Sequence, residues 1–129
     1  VSFSIFIFLM SFIQLGRWLF PVPFIVFGLF HLSMSNHYAD QMPNYIPGGT
    51  FFICILGFCM IAAGISLYLG IKDRLAALCL AVMLLLFIVL LHAPAAIYGG
   101  EQSQLALTML FKDLGLMAGA LLYAQYVGK

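Results

Sequence analysis

The sequence predicts an all-α transmembrane protein, an up-down four-helix bundle in a single domain over residues 1–129, with an apolar N-terminal lead-in and a short structured extracytoplasmic loop. Three observations lead there. Hydrophobic residues make up 65% of the chain and charged residues only 7%, whereas a soluble domain carries about 25% charged residues. That leaves too little polar surface to cover a water-soluble globule. The apolar residues also fall into long runs with brief polar or Gly/Pro-rich breaks, and 129 residues hold roughly four spans of ~20 residues each. Finally, the few cations fall at alternate breaks, as an up-down path requires.

The first apolar run, Val1 to Leu32, is interrupted by Gly16, Arg17, Pro21 and Pro23. As one helix it would reach about 48 Å, well beyond a hydrocarbon core of about 30 Å. The reading adopted divides it into an interfacial or tilted lead-in at 2–14 and a first span at about 15–33; a single long helix kinked at the prolines is the alternative. The start, VSFSIFIFLMSF, lacks the basic n-region and small-residue cleavage site of a signal peptide, so it is read as part of the mature protein. The second span covers about 50–71, with Thr50 as an expected N-cap after Gly48-Gly49. The third covers about 74–96, with Asp73 as its expected cap, and the fourth about 105–127.

Orientation follows from the cations. Arg17, Lys72, Arg74 and Lys129 all fall on one side of an up-down bundle, while the other two connections carry Asp40 and Glu101. Both termini are therefore expected in the cytoplasm, and the polar stretch HYADQMPNYIPGG (37–49) outside. Small residues mark close helix contacts: Gly57 and Gly64 in the second span, Gly115 and Gly119 as a GxxxG in the fourth. Cys54, Cys59 and Cys79 form no CxxC pair and read as small packing residues. No basic run points to nucleic acid or to a polybasic lipid-binding tail.

Depth and helical phase bring a few polar residues together. His31 ends the first span, His92 ends the third, and Lys112 and Asp113 lie about two turns into the fourth, all toward the external mouth. Ionisable groups inside a span usually face the bundle interior or a cavity. The expected site is thus a pocket formed by His31, His92, Lys112 and Asp113, with Tyr38 and Tyr45 in the loop that roofs it. Each residue has a plainer reading beside this one. Lys112 can snorkel to the headgroups, Asp113 can neutralise a neighbour, the two histidines can be satisfied interfacial residues, and His37 and Asp40 can be solvated. No metal site is expected, because ligand spacings of i,i+3 or i,i+4 are absent.

Several stretches together resemble the DoxX and DoxX-like family of small four-helix membrane proteins. FGLFHLSMSNHYADQMPNYIPGG is similar to that family's first-span exit and external loop, through His31, Tyr38, Met42, Pro43, Tyr45, Ile46 and Pro47. GFCMIAAGISLYLGIKDRLAAL resembles its glycine-bearing second span and basic turn, and LLHAPAAIYGG and LFKDLGLMAGALLYA resemble its third and fourth spans. The resemblance covers about residues 15–126. One departure stands out: where many relatives carry a glutamate between the two span-two glycines, this chain has Met60.

The resemblance implies a bacterial inner-membrane protein, but the family is functionally mixed. Its members include subunits named for thiosulfate:quinone oxidoreductases, companions of bacterial redox systems and receptor-assembly chaperones. The leading expectation is a redox-associated subunit whose outer pocket takes a quinone or another lipophilic molecule, with His31, His92 and Lys112 as donors to a carbonyl. With no haem-ligand pairing, flavin or nicotinamide fingerprint or redox dithiol, the chain is not expected to be a complete enzyme on its own. It would need the lipid bilayer and a larger membrane or redox complex as partners. The alternative is a non-catalytic accessory or assembly subunit, for which the Phe3, Phe6 and Phe8 face is the candidate contact. Small-solute transport is the weakest reading, since no span is broken at its midplane.

Overall fold

The computed structural model describes residues 2–129. Among these the regular structure is helical throughout: α1 Ser2–Leu19, α2 Val22–Ser33, α3 Ser35–Asp40, α4 Gly49–Leu69, α5 Asp73–Phe87, a π-turn Ile88–His92, α6 Ala93–Tyr98, a short 3₁₀ turn Gly100–Gln102 and α7 Ser103–Tyr126. Grouped by continuity, these give four helical stretches long and apolar enough to cross a membrane: Ser2–Ser33, Gly49–Leu69, Asp73–Tyr98 and Gly100–Tyr126. The protein is an integral membrane four-helix bundle.

Helix α1 runs without a boundary from Ser2 to Leu19, and the break comes at Phe20–Pro21. Pro21 and Pro23 lack the N–H groups that would bond to the carbonyls four residues back, so the α-ladder cannot pass through them intact. The Trp18 carbonyl, next to the break, accepts a 2.7 Å hydrogen bond from the Tyr68 hydroxyl. In hydrocarbon an unpaired backbone carbonyl costs several kcal/mol, so this side-chain donor supports the kink directly. The rings of Trp18 and Tyr68 also stack, 5.6 Å apart.

Glycine sets the contact between α2 and α4. A Cβ on Gly28 would stand 2.7 Å from the Gly57 carbonyl oxygen, and one on Gly57 would stand 2.8 Å from the Gly28 carbonyl oxygen. The two backbones touch each other directly, which only small residues permit. Gly64 is equally tight, with its would-be Cβ 2.5 Å from the Ile25 side chain. On α7, Gly119 faces Phe20 at 2.9 Å, but Gly115 has nothing within 4 Å. The GxxxG reading therefore holds at one of its two positions. Gly115 and Gly119 lie four residues apart, about 40° in phase, and α7 turns the first of them away from its neighbours.

The core is built where α2, α4, α5 and α7 converge: Phe24, Met60, Leu67, Ala77, Leu80, Leu84, Tyr123 and Ala124. Met60, between the two α4 glycines, is 3% exposed and fills core volume. Two expected helix caps are replaced. Gly48, at φ 107°, occupies the N-cap of α4, and the Thr50 hydroxyl instead donates to Asn36 Oδ1 at 3.0 Å. The short turn between α4 and α5 holds Gly70 at φ 67° and puts Lys72, at φ 49°, in the N-cap position of α5. Asp73 is drawn inward from that turn to a different set of partners.

Candidate functional site

The inward stripe of α7 is Ala106, Asp113, Ala120 and Ala124, a spacing of seven, seven and four that keeps one side facing the bundle. Asp113 is thus the ionisable residue that α7 buries, at 2% exposure. Lys112, one position earlier, lies at the edge. Its side chain is 38% exposed, and its Nζ sits 4.6 Å from the centroid of the Phe27 ring. Gly119, seven residues on, meets Phe20, so Lys112 and Gly119 share the stripe that faces α2. Of the two expected pocket residues on α7, only Asp113 takes the buried phase.

His92 reaches Asp113 by way of the π-turn. Helix α5 buries Ala77, Leu80, Ala81 and Leu84, and at 3.6 residues per turn the same face would go on to Ile88 and Leu91. The Ala93 N–H bonds to the Ile88 carbonyl five residues back. This wider turn contains one extra residue and passes the inward phase to His92. Its Nε2 lies 3.0 Å from Asp113 Oδ2, and Lys112 Nζ lies 3.2 Å from Asp113 Oδ1. The imidazole contact is close enough for an ion pair but out of line for a hydrogen bond, and Asp113 Oδ2 has no hydrogen-bond partner.

The remaining site residues gather beside this group. His31 Nδ1 lies 2.7 Å from the Phe27 carbonyl, its ring stacks on Tyr38 at 4.8 Å, and its Cβ lies close against Gly57. Phe27 thus joins the two halves, its ring under Lys112 and its carbonyl against His31. Part of the stretch expected to be loop is the short helix α3, which carries Tyr38. Tyr45 anchors the rest: its hydroxyl donates to the Leu90 carbonyl. Pro94, four residues after Leu90, has no N–H to offer that carbonyl, so the loop supplies the missing donor.

Two grooves open on the surface, and neither is lined by His31, His92, Lys112 or Asp113. One, between α4 and α5, is lined by Leu56, Cys59, Ala63, Cys79, Leu80 and Met83. Cys59 and Cys79 are exposed there and only Cys54 is half-buried, so two of the three cysteines face outward instead of packing. The other groove lies between α1 and α7. The Asp113 cluster is half-open, reached past His92, whose side chain is 22% exposed, and Lys112.

A site of similar burial, missed in the sequence, lies at the opposite end of the bundle. Asp73 is 1% exposed. Its Oδ1 accepts from the backbone N–H of Arg74 at 3.1 Å and of Lys129 at 3.0 Å. Its Oδ2 lies 2.9 Å from the Tyr123 hydroxyl, which is also 3.1 Å from the Leu67 carbonyl. The available signal was the buried side of α7, which carries Tyr123 with Ala120 and Ala124 to the end where Asp73 leaves the turn.

With this geometry in place, the comparison with known families is specific: the DoxX family model matches residues 12–93, more than half of the chain. The chain belongs to the DoxX family. The DoxX match takes in His31, Tyr38, Tyr45, the α4 glycines and His92, and it ends before Lys112 and Asp113, so the α7 half of the cluster lies outside the matched residues. No curated protein and no solved structure matches the chain.

Proposed function

We propose that this DoxX protein is a redox-associated subunit of the bacterial inner membrane that binds a quinone-class molecule at the Asp113 cluster. One observation carries the reading: a carboxylate 2% exposed in a membrane-spanning helix keeps Oδ2 without a hydrogen-bond partner while two nitrogen donors flank it. A buried polar atom left unpaired is costly, and a hydroxyl-bearing ligand would remove that cost. Quinone-class molecules suit the set because their reduced form offers a hydroxyl to Asp113 and their oxidised form a carbonyl to Lys112 or His92. Such a ring is flat and apolar, which matches Phe27 and the stacked His31 and Tyr38 beside it. Bound there, it would supply the electron-carrying chemistry that these side chains lack, while the protein would contribute position and hydrogen bonds.

The cations support the orientation that places this cluster toward the outer leaflet with both termini cytoplasmic: four of the five, Arg17, Lys72, Arg74 and Lys129, lie at the opposite end. The test is equilibrium binding of a short-chain ubiquinone analogue to the purified protein in detergent. Lys112→Leu and Asp113→Asn are each expected to weaken binding about tenfold, the loss of one hydrogen bond to a charged group. Unchanged affinity in both variants would sink the assignment.

A second reading, an accessory subunit in a larger complex, is favoured by α1. None of its described residues is buried, and Phe3, Phe6 and Phe8 are 74%, 60% and 61% exposed. A helix apolar on all sides is covered by lipid or by protein. Co-purification of a membrane partner in mild detergent, lost when these three phenylalanines become serine, distinguishes protein from lipid. Recovery of the intact chain alone would count against it.

A further inference from the structure

The α1–α7 groove lies at the same end as Asp73 and is unrelated to the Asp113 cluster. It encloses about 540 Å³ and is lined by Ile13, Gly16, Phe20, Gly119, Leu122 and Tyr126, with Tyr123 and Val127 completing it. Its walls are apolar, and its length along α1, from residue 13 to residue 20, is about 10 Å. The groove is open at Gly16, where nothing lies within 4 Å of the position a Cβ would take.

The rim is cationic. Arg17 directly follows Gly16, and its Nη2 lies 2.8 Å from the would-be Cβ of Gly70 in the α4–α5 turn. Lys72 and Arg74 belong to that same turn. Gly128 packs against the Arg74 backbone, which brings Lys129 alongside, its N–H bonded to Asp73. The one carboxylate in this group, Asp73, accepts only from backbone N–H groups and a phenol. Among the described residues neither Arg17, Lys72, Arg74 nor Lys129 forms a salt bridge. Of the side chains at this end, four are cations and one is a carboxylate whose oxygens are already engaged by neutral donors. Among the described residues no Asp or Glu side chain pairs with these cations.

We infer that this groove is a binding site for an anionic phospholipid, with an acyl chain lying between α1 and α7 and the phosphate held by Arg17 and the neighbouring cations. Apolar walls alone would accept any lipid. The uncompensated charge at the rim selects an anionic headgroup, as basic pockets between transmembrane helices do. This inference stands independently of the ligand proposed for Asp113, since the two sites are at opposite ends of the bundle.

The test uses the full chain purified in a neutral detergent and titrated with dioleoyl phosphatidylglycerol or dioleoyl phosphatidylcholine. Retained lipid is counted by native mass spectrometry and thermal stability is followed in parallel. The intact protein is expected to retain phosphatidylglycerol about fivefold better than phosphatidylcholine. Arg17→Gln is expected to bring the two lipids to parity. Gly16→Leu extends into the groove, favours the helix and has open space at its Cβ, so it should fold normally and lose retention of both lipids. Equal retention of both lipids by the intact protein would overturn the proposal. So would full retention in Gly16→Leu, because recruitment by surface charge alone needs no groove.

Discussion

Two aspartates are buried in this bundle, one toward each end, at 1% and 2% exposure, and they are held in opposite ways. Asp73 has a partner for each oxygen, all of them neutral donors fixed by backbone or by a single ring. Asp113 has two nitrogen neighbours, one on a half-exposed lysine, and keeps an oxygen without a hydrogen bond. Burial alone therefore says little about what a charged residue is for. Satisfied hydrogen bonds mark Asp73 as a fastener, tying the α4–α5 turn to the end of α7; the unsatisfied oxygen marks Asp113 as a place where something else is needed.

Substitutions separate the two roles. The largest effect is expected from Asp73→Ala, which takes the acceptor from two part-buried backbone N–H groups and one of two acceptors from the Tyr123 hydroxyl. Removing hydrogen bonds to a charged group costs about 1.5–3 kcal/mol each, so a loss of about 3 kcal/mol and a clear drop in apparent Tm in detergent should follow. Tyr123→Phe removes one donor shared between Asp73 and the Leu67 carbonyl and is expected to cost about 1 kcal/mol by the same measurement. Asp113→Asn keeps the shape, discharges an imperfectly paired carboxylate and should change stability by no more than about 0.5 kcal/mol. If Asp113→Asn destabilised the fold as strongly as Asp73→Ala, the distinction drawn here would collapse.

The bundle itself was legible because membrane spans announce themselves by length and apolarity, and because the turn Lys72-Asp73-Arg74 is too short to allow anything but antiparallel neighbours. The meeting of His92, Lys112 and Asp113 was legible as depth, since each could be counted from a span's end. Phase was harder. Depth alone does not separate Lys112 from Asp113; the alanines at 106, 120 and 124 mark the buried side, and they select Asp113. The π-turn could not be read at all, because one extra residue in a helix leaves no mark on composition. Asp73 resembled an ordinary helix cap. Its partners Tyr123 and Lys129 lie 50 and 56 residues away, and no local pattern connects them.

The bond from Tyr45 to the Leu90 carbonyl also bears on how the protein is made. A ribosome completes residue 45 well before residue 90, so the donor is already in the chain when the proline-interrupted span emerges. The third span arrives with a carbonyl that its own helix cannot serve, and the earlier loop holds the group that can. The order of synthesis thus favours a third span that docks on a loop already present, and moving that loop later in the chain would leave the nascent span to enter the bilayer with its polar gap open.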